Sequence, residues 1–185
     1  MPRFHSLLAL AGIVGISQTA SGQIISLVKA GQTIPGVGDV TTVDNLTINN
    51  DGEWLVEADT NAAAGDGVLL KNGVVFLREG QALPVPAGSS ISSFDDITLN
   101  SAGNFGGNIF LAGTGSTGND SGVFFNATLA IQESFITTAP QHSPNTPYIG
   151  FFGARLNDNN QMFIMASVDD PAIATTVDRS IIRAQ

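Results

Sequence analysis

Three aspartates are the side chains in this sequence best spaced for acid/base or metal chemistry. Asp44 and Asp95 each stand five residues ahead of an asparagine, Asn49 and Asn100, and Asp96 adjoins the second. Two carboxyl groups held at different pKa values can hydrolyse a glycoside. Together with backbone carbonyls, the same groups could line a Ca²⁺ site. A structural use competes with both, because an aspartate at a strand entrance readily bonds the backbone amides of a turn. Recurrence favours that use: a catalytic group has no reason to return in every copy of a unit, and the third copy has Phe152 at this position. Metal and cofactor are therefore expected to be none.

Aromatic platforms are the second resource. Trp54 and Tyr148 are the only tryptophan and tyrosine, so a sugar-binding face would rest on them or on phenylalanines. Packing is the expected use of Trp54, since Phe105 and Met162 share its aligned position. His142 lies in a proline-rich stretch, Ala139 to Pro147. It could serve as base to Ser143 or another serine, but no Gly-x-Ser-x-Gly elbow accompanies it, and a loop histidine is expected. No Walker, Rossmann or zinc motif occurs.

The elements that must position these residues are legible as a repeat. With Asn49, Asn100 and Asn157 in register, Val40, Ile91 and Tyr148 align, followed by Val43, Phe94 and Phe151. Leu46, Ile97 and Ala154 come next, and then Ile48, Leu99 and Leu156. Three residues after each asparagine stand Gly52, Gly103 and Asn160, the residues that take positive φ most cheaply at the end of a turn. Leu46-Thr47-Ile48 and Ile97-Thr98-Leu99 alternate as half-buried strands do. Return strands are expected over Glu53 to Ala58, Phe105 to Ala112 and Gln161 to Val168, with a bulge at Gly106-Gly107-Asn108. Lys71-Asn72-Gly73-Val74 is a two-residue hairpin signal, placing a fourth strand at Val74 to Arg78.

This predicts an all-β fold of three four-stranded antiparallel repeats, at about residues 31–79, 80–133 and 134–185. Units of about 50 residues and four strands match propeller blades, with a β-sandwich as the alternative. Three blades are fewer than a propeller's usual four to eight. A second copy completing a ring, an open stack, a compact three-bladed unit and a piece of a longer propeller all fit. Ile24 to Lys29 runs into Ala-Gly-Gln much as Val74 to Arg78 runs into Glu-Gly-Gln, so it could complete the last repeat.

Composition bounds the setting. Of 185 residues only 12% are charged, with 16 acidic against 7 basic, and 21 are glycine. Such a surface disfavours nucleic acid and anionic lipid as partners. Zero cysteines remove disulfides and thiolate sites. Arg3, the apolar run Leu7 to Ile16 and the small residues Ala20-Ser21-Gly22 predict a signal peptide over residues 1–22, leaving an exported β-repeat domain, 23–185, with no membrane span. The profile points to a bacterial exported protein.

Asn49-x-x-Gly52 with Ala58, and Asn100-x-x-Gly103 with Ile109 and Phe110, resemble the bacterial tandem-repeat proteins bearing an Asn-x-x-Gly-x-x-x-Ala-Phe signature. The chain departs from that signature at Asn160 and in its Ala-Phe ends. The resemblance implies an exported or cell-surface repeat protein without assigned catalytic residues. The expected function is thus a non-catalytic structural or interaction role, with itself, a glycan or a surface protein as partner. The alternatives are a lectin-like module using Trp54 or Tyr148 and a glycan hydrolase using Asp44, Asp95 or Asp96.

Overall fold

The computed structural model describes residues 24–184, and within them every regular element is a β-strand. The expected signal peptide, residues 1–22, lies outside the described residues. The first sheet joins β1 (Thr33–Ile34), β2 (Gly38–Ile48), β3 (Trp54–Thr60), β4 (Gly67–Lys71) and β5 (Val74–Arg78), in that order. The second joins β6 (Ser90–Leu99), β7 (Phe105–Ala112), β8 (Ser121–Phe125) and β9 (Thr128–Gln132). The third joins β10 (Tyr148–Leu156), β11 (Met162–Val168) and β12 (Arg179–Ala184). All pairings are antiparallel. The fold is all-β and propeller-like, but its sheets hold five, four and three strands rather than four each.

The turn after each sheet's long first strand follows from its asparagine. Asn49 Oδ1 accepts the amides of Asp51 and Glu53, Asn100 Oδ1 that of Asn104, and Asn157 Oδ1 those of Asn159 and Gln161. The chain then turns through φ of +79° at Gly52, +74° at Gly103 and +59° at Asn160. Asparagine tolerates this region next best after glycine. A second asparagine clamps each of the hairpins β4–β5 and β8–β9. Asn72 Oδ1 accepts the Trp54 amide and Asn126 Oδ1 the Phe105 amide, both at 2.9 Å.

Bulges explain the spacing of the aspartates. Each first strand slips register twice against its return strand, leaving Thr41 and Asp44, Ser92 and Asp95, and Ile149 and Phe152 as the extra residues. The expected bulge at Gly106-Gly107-Asn108 is absent, for β7 runs regularly there. Those glycines serve close packing instead. A Cβ on Gly106 would stand 2.9 Å from Thr98 Cγ2 and 3.4 Å from Leu156 Cβ in the third sheet, and one on Gly107 would meet the Phe105 ring at 2.6 Å.

The sheets stack face to face. Leu55, Leu69 and Leu77 from the forward face of the first sheet bury against Phe94, Ile97 and Phe105 from the rear of the second. Val123 and Ile131 then bury against Phe151, Ala154, Met162 and Ile164 from the rear of the third. Each rear face is supplied by the aligned apolar positions, which is why these positions recur. The first sheet has no such sheet behind it, so its Val43, Leu46 and Ile48 stay exposed although their equivalents in the second sheet, Phe94, Ile97 and Leu99, are buried. Ile24 to Lys29, one candidate for completing the last repeat, forms no strand on the third sheet within the chain; it lies on the rear of the first sheet, where Val28 packs with Val40 and Val56.

Candidate functional site

A ladder of asparagines runs across the three turns. Asn49 Nδ2 donates to the Asn100 carbonyl at 2.9 Å, and Asn100 Nδ2 donates to the Asn157 carbonyl at 3.1 Å. The remaining amide proton of Asn49 goes to Glu53 Oε2, and Asn157 Nδ2 donates to Gln161 Oε1. One residue on, the Asp158 carboxylate accepts the Ser101 amide at 2.8 Å, and hydrogen bonding from Ser101 lowers its pKa. The turn residues Asn49, Asn100 and Asn157 thus hold one sheet to the next.

The three aspartates do not converge on one centre. Asp44 is exposed and accepts a hydrogen bond from the Thr42 hydroxyl. Asp95 accepts one from Asn108 Nδ2 at 2.9 Å, and the same amide reaches the Phe151 carbonyl at 3.3 Å. Asp96 accepts the Ala154 amide at 2.6 Å and ion-pairs with Arg155. Asp95 and Asp96 therefore bind the second sheet to the third, directly or through Asn108. Among the described residues no three His, Asp or Glu side chains are grouped to hold a metal.

Glu57 was not singled out by its sequence. It projects from β3 on the forward face, opposite Asn45, at the position that Asn108 takes opposite Asp96. Burial, followed by the charges of Asp44, Asp59, Asp95 and Glu79, pushes its pKa up to about 7. Glu79 and Glu133 are also raised by burial, although each accepts a backbone amide, from Gly67 and Ser121. The Glu79 carboxylate clamps the entry of β4 to the exit of β5, and that of Glu133 clamps the entry of β8 to the exit of β9.

The aromatic candidates separate. Tyr148 is buried, and its hydroxyl donates to Thr137 Oγ1 at 2.9 Å, so its ring offers no platform to a sugar. Trp54 is half-buried on the rear of the first sheet, in an apolar groove of about 350 Å³ between Val43, Leu46 and Ile48 and the segment Ile25 to Val28. A sugar site needs converging polar groups beside its aromatic ring. The lining of this groove is mostly aliphatic.

His142 has partners that no motif announced. Its Nε2 lies 3.3 Å from Ser180 Oγ on β12 and its Nδ1 3.4 Å from Asp170 Oδ2. Ser143, the serine weighed as nucleophile, instead donates its amide to Asp170 Oδ2 at 2.9 Å. Hydrogen bonding from Ser143 and the Ala172 amide holds Asp170 down at about 2. The chemical order is that of a nucleophile–base–acid triad, yet the Nδ1 separation exceeds a hydrogen bond and Ser180 sits within a strand instead of a strained turn. The cluster ties the proline-rich connector to the loop preceding β12.

The model of a family described as "family of unknown function (DUF7453)" matches residues 10–185. No curated protein and no solved structure matches the chain.

Proposed function

We propose a non-catalytic structural or interaction role for this chain, which belongs to the family DUF7453. It acts as an exported repeat scaffold. The observation that carries this reading is the use made of the recurring polar side chains. Asn49, Asn100 and Asp96 each reach from one sheet to the backbone of the next. Asp96, the ionisable one of the three, cannot move a proton for a substrate without loosening the stack. Export rests on the sequence alone: Arg3, the apolar run Leu7 to Ile16 and the small residues before Gln23. No helix among the described residues is long and apolar enough to cross a membrane.

A hydrolase is the second reading, favoured by the approach of His142 to Ser180 and Asp170. One pair of assays tests both. The purified chain is offered a fluorophosphonate probe and a panel of soluble β- and α-glycans. The scaffold reading expects neither labelling nor turnover. Labelling of Ser180 that disappears in His142→Ala would establish the hydrolase. Glycan cleavage lost in Asp95→Asn, with the amide-exchange pattern unchanged, would establish the glycosidase.

A further inference from the structure

We propose that residues 25–29 of one copy form the fourth strand of the third sheet in a second copy, against the edge of β12. The connector after this segment carries the argument. Gly31, Gly80 and Ser134 have φ of +77°, +77° and +68°, and each donates its amide at 2.8 Å to the carbonyl of the aligned residue Val40, Ile91 or Tyr148. The next residue in each, Gln32, Gln81 or Phe135, donates back three residues at 3.1 Å, to Lys29, Arg78 or Gln132. Arg78 and Gln132 end β5 and β9, in each case the fourth strand counted from the long strand β2 or β6. Lys29 thus stands where a fourth strand ends.

The segment already occupies that place relative to the first sheet. Val28 is equivalent to Leu77 and Ile131, which close the cores between successive sheets, and it packs on the core containing Val40 as Leu77 packs with Ile91. It lacks only the three strands on which a fourth would be laid. Among the described residues the third sheet has three strands, and β12 pairs with β11 alone.

The faces continue the same stacking. The rear of the first sheet leaves Leu46 69% and Ile48 63% exposed, although their equivalents Ile97 and Leu99 are buried. The forward face of the third sheet exposes Phe152, Phe163, Met165 and Ile181, around a cavity of about 240 Å³. Laying one on the other repeats the contact made twice within the chain, with the Asn49 carbonyl of one copy set to extend the asparagine ladder from Asn157 of the other. The contact is head-to-tail, so two copies can close on each other. Six blades fall within the usual range of four to eight, which three do not.

The fold also dictates the register. Val68, Leu69, Leu70 and Lys71 pair with Arg78, Leu77, Val75 and Val74, with Phe76 as the extra residue. Matching return strands equate Lys71 with Arg183, since Leu55 pairs with the first and Phe163 with the second. Across copies, Ser180 then meets Lys29, Ile181 meets Val28, Ile182 meets Ser26 and Arg183 meets Ile25, with Leu27 as the bulge.

The absence of cysteine makes a disulfide test clean. Ile25 and Arg183 are both exposed, and opposed antiparallel residues lie within disulfide reach, so Ile25→Cys with Arg183→Cys should oxidise to a covalent dimer. The control, Ile25→Cys with Val177→Cys, should stay monomeric on a non-reducing gel. Circular dichroism of the reduced variants checks that the sheets remain formed. A disulfide inside a single copy would overturn the proposal in favour of closure within one chain. So would a light-scattering mass of one copy, with no cross-link, at concentrations on the order of 100 μM. A ladder of long covalent oligomers would overturn the closed pair. The inference rests on the scaffold reading, but the two fail separately: probe labelling of Ser180 leaves the cross-link result untouched, and a missing cross-link leaves the non-catalytic reading standing.

Discussion

At the scale of single residues, the chain gives its polar groups to the joints between sheets, and Glu57 shows the cost when the group is charged. Its carboxyl is half-buried among Asp44, Asp59, Asp95 and Glu79, and burial with those charges raises its pKa from 4.5 to about 7. The folded protein therefore holds this proton to a higher pH than the unfolded chain does. The contribution to stability is complete below about pH 4.5 and is lost as the pH rises through about 7. Glu57→Gln should remove that slope and stabilise the protein at pH 8 by about 1–2 kcal/mol, a value reduced for the water that still screens the site. Urea unfolding of both proteins at pH 5 and pH 8 measures it; a Gln variant less stable at pH 8 would mean that the charged form is the one the fold favours. The second sheet supports the choice of glutamine, because Asn108, a neutral amide, fills the equivalent position and bonds across to the next sheet.

At the scale of elements, an aligned position means burial only where a sheet lies behind it. Leu99 is 6% exposed, whereas Ile48 at the aligned position is 63% exposed. Leu99→Ala should cost about 2–5 kcal/mol, and Ile48→Ala less than about 1 kcal/mol in dilute solution, as read from paired denaturation curves. Equal costs would mean that the rear of the first sheet is covered. Much of this level was legible in the sequence. Periodicity located the long first strands and the turns at Gly52, Gly103 and Asn160, and Lys71-Asn72-Gly73-Val74 located the hairpin between β4 and β5, because these features are local. The bulges were misplaced to Gly106-Gly107-Asn108 because glycine signals permissiveness and cannot say whether it serves a bulge or a close approach. Tyr148, offered as a platform only in the lectin-like alternative, shares its aligned position with Val40 and Ile91, and all three are buried. Asp170 and Ser180 were missed as partners of His142 because long connections, not a motif, bring them together.

At the scale of the whole molecule, stacked sheets that contact only their neighbours should differ in local stability according to how many faces are covered. The second sheet is buried on both sides, by Phe94, Ile97 and Phe105 on its rear and by Val123 and Ile131 on its front. The third sheet is covered on its rear alone, and β12 has one paired edge among the described residues. Amide exchange should therefore be slowest in β7 and β8 and fastest in β12 when the protein is dilute. Association covers that edge and stabilises only the associated state, so protection of β12 should rise with protein concentration while that of β7 stays constant. The gain should fall mainly on those β12 amides that point away from β11, since the others are already bonded within the sheet. Protection that is independent of concentration would show that β12 is covered within one chain or not covered at all. Comparison with Ile25→Pro decides between these, since proline deletes a strand donor without touching β12: a β12 that exchanges faster at every concentration was covered by its own copy, and an unchanged β12 was never covered.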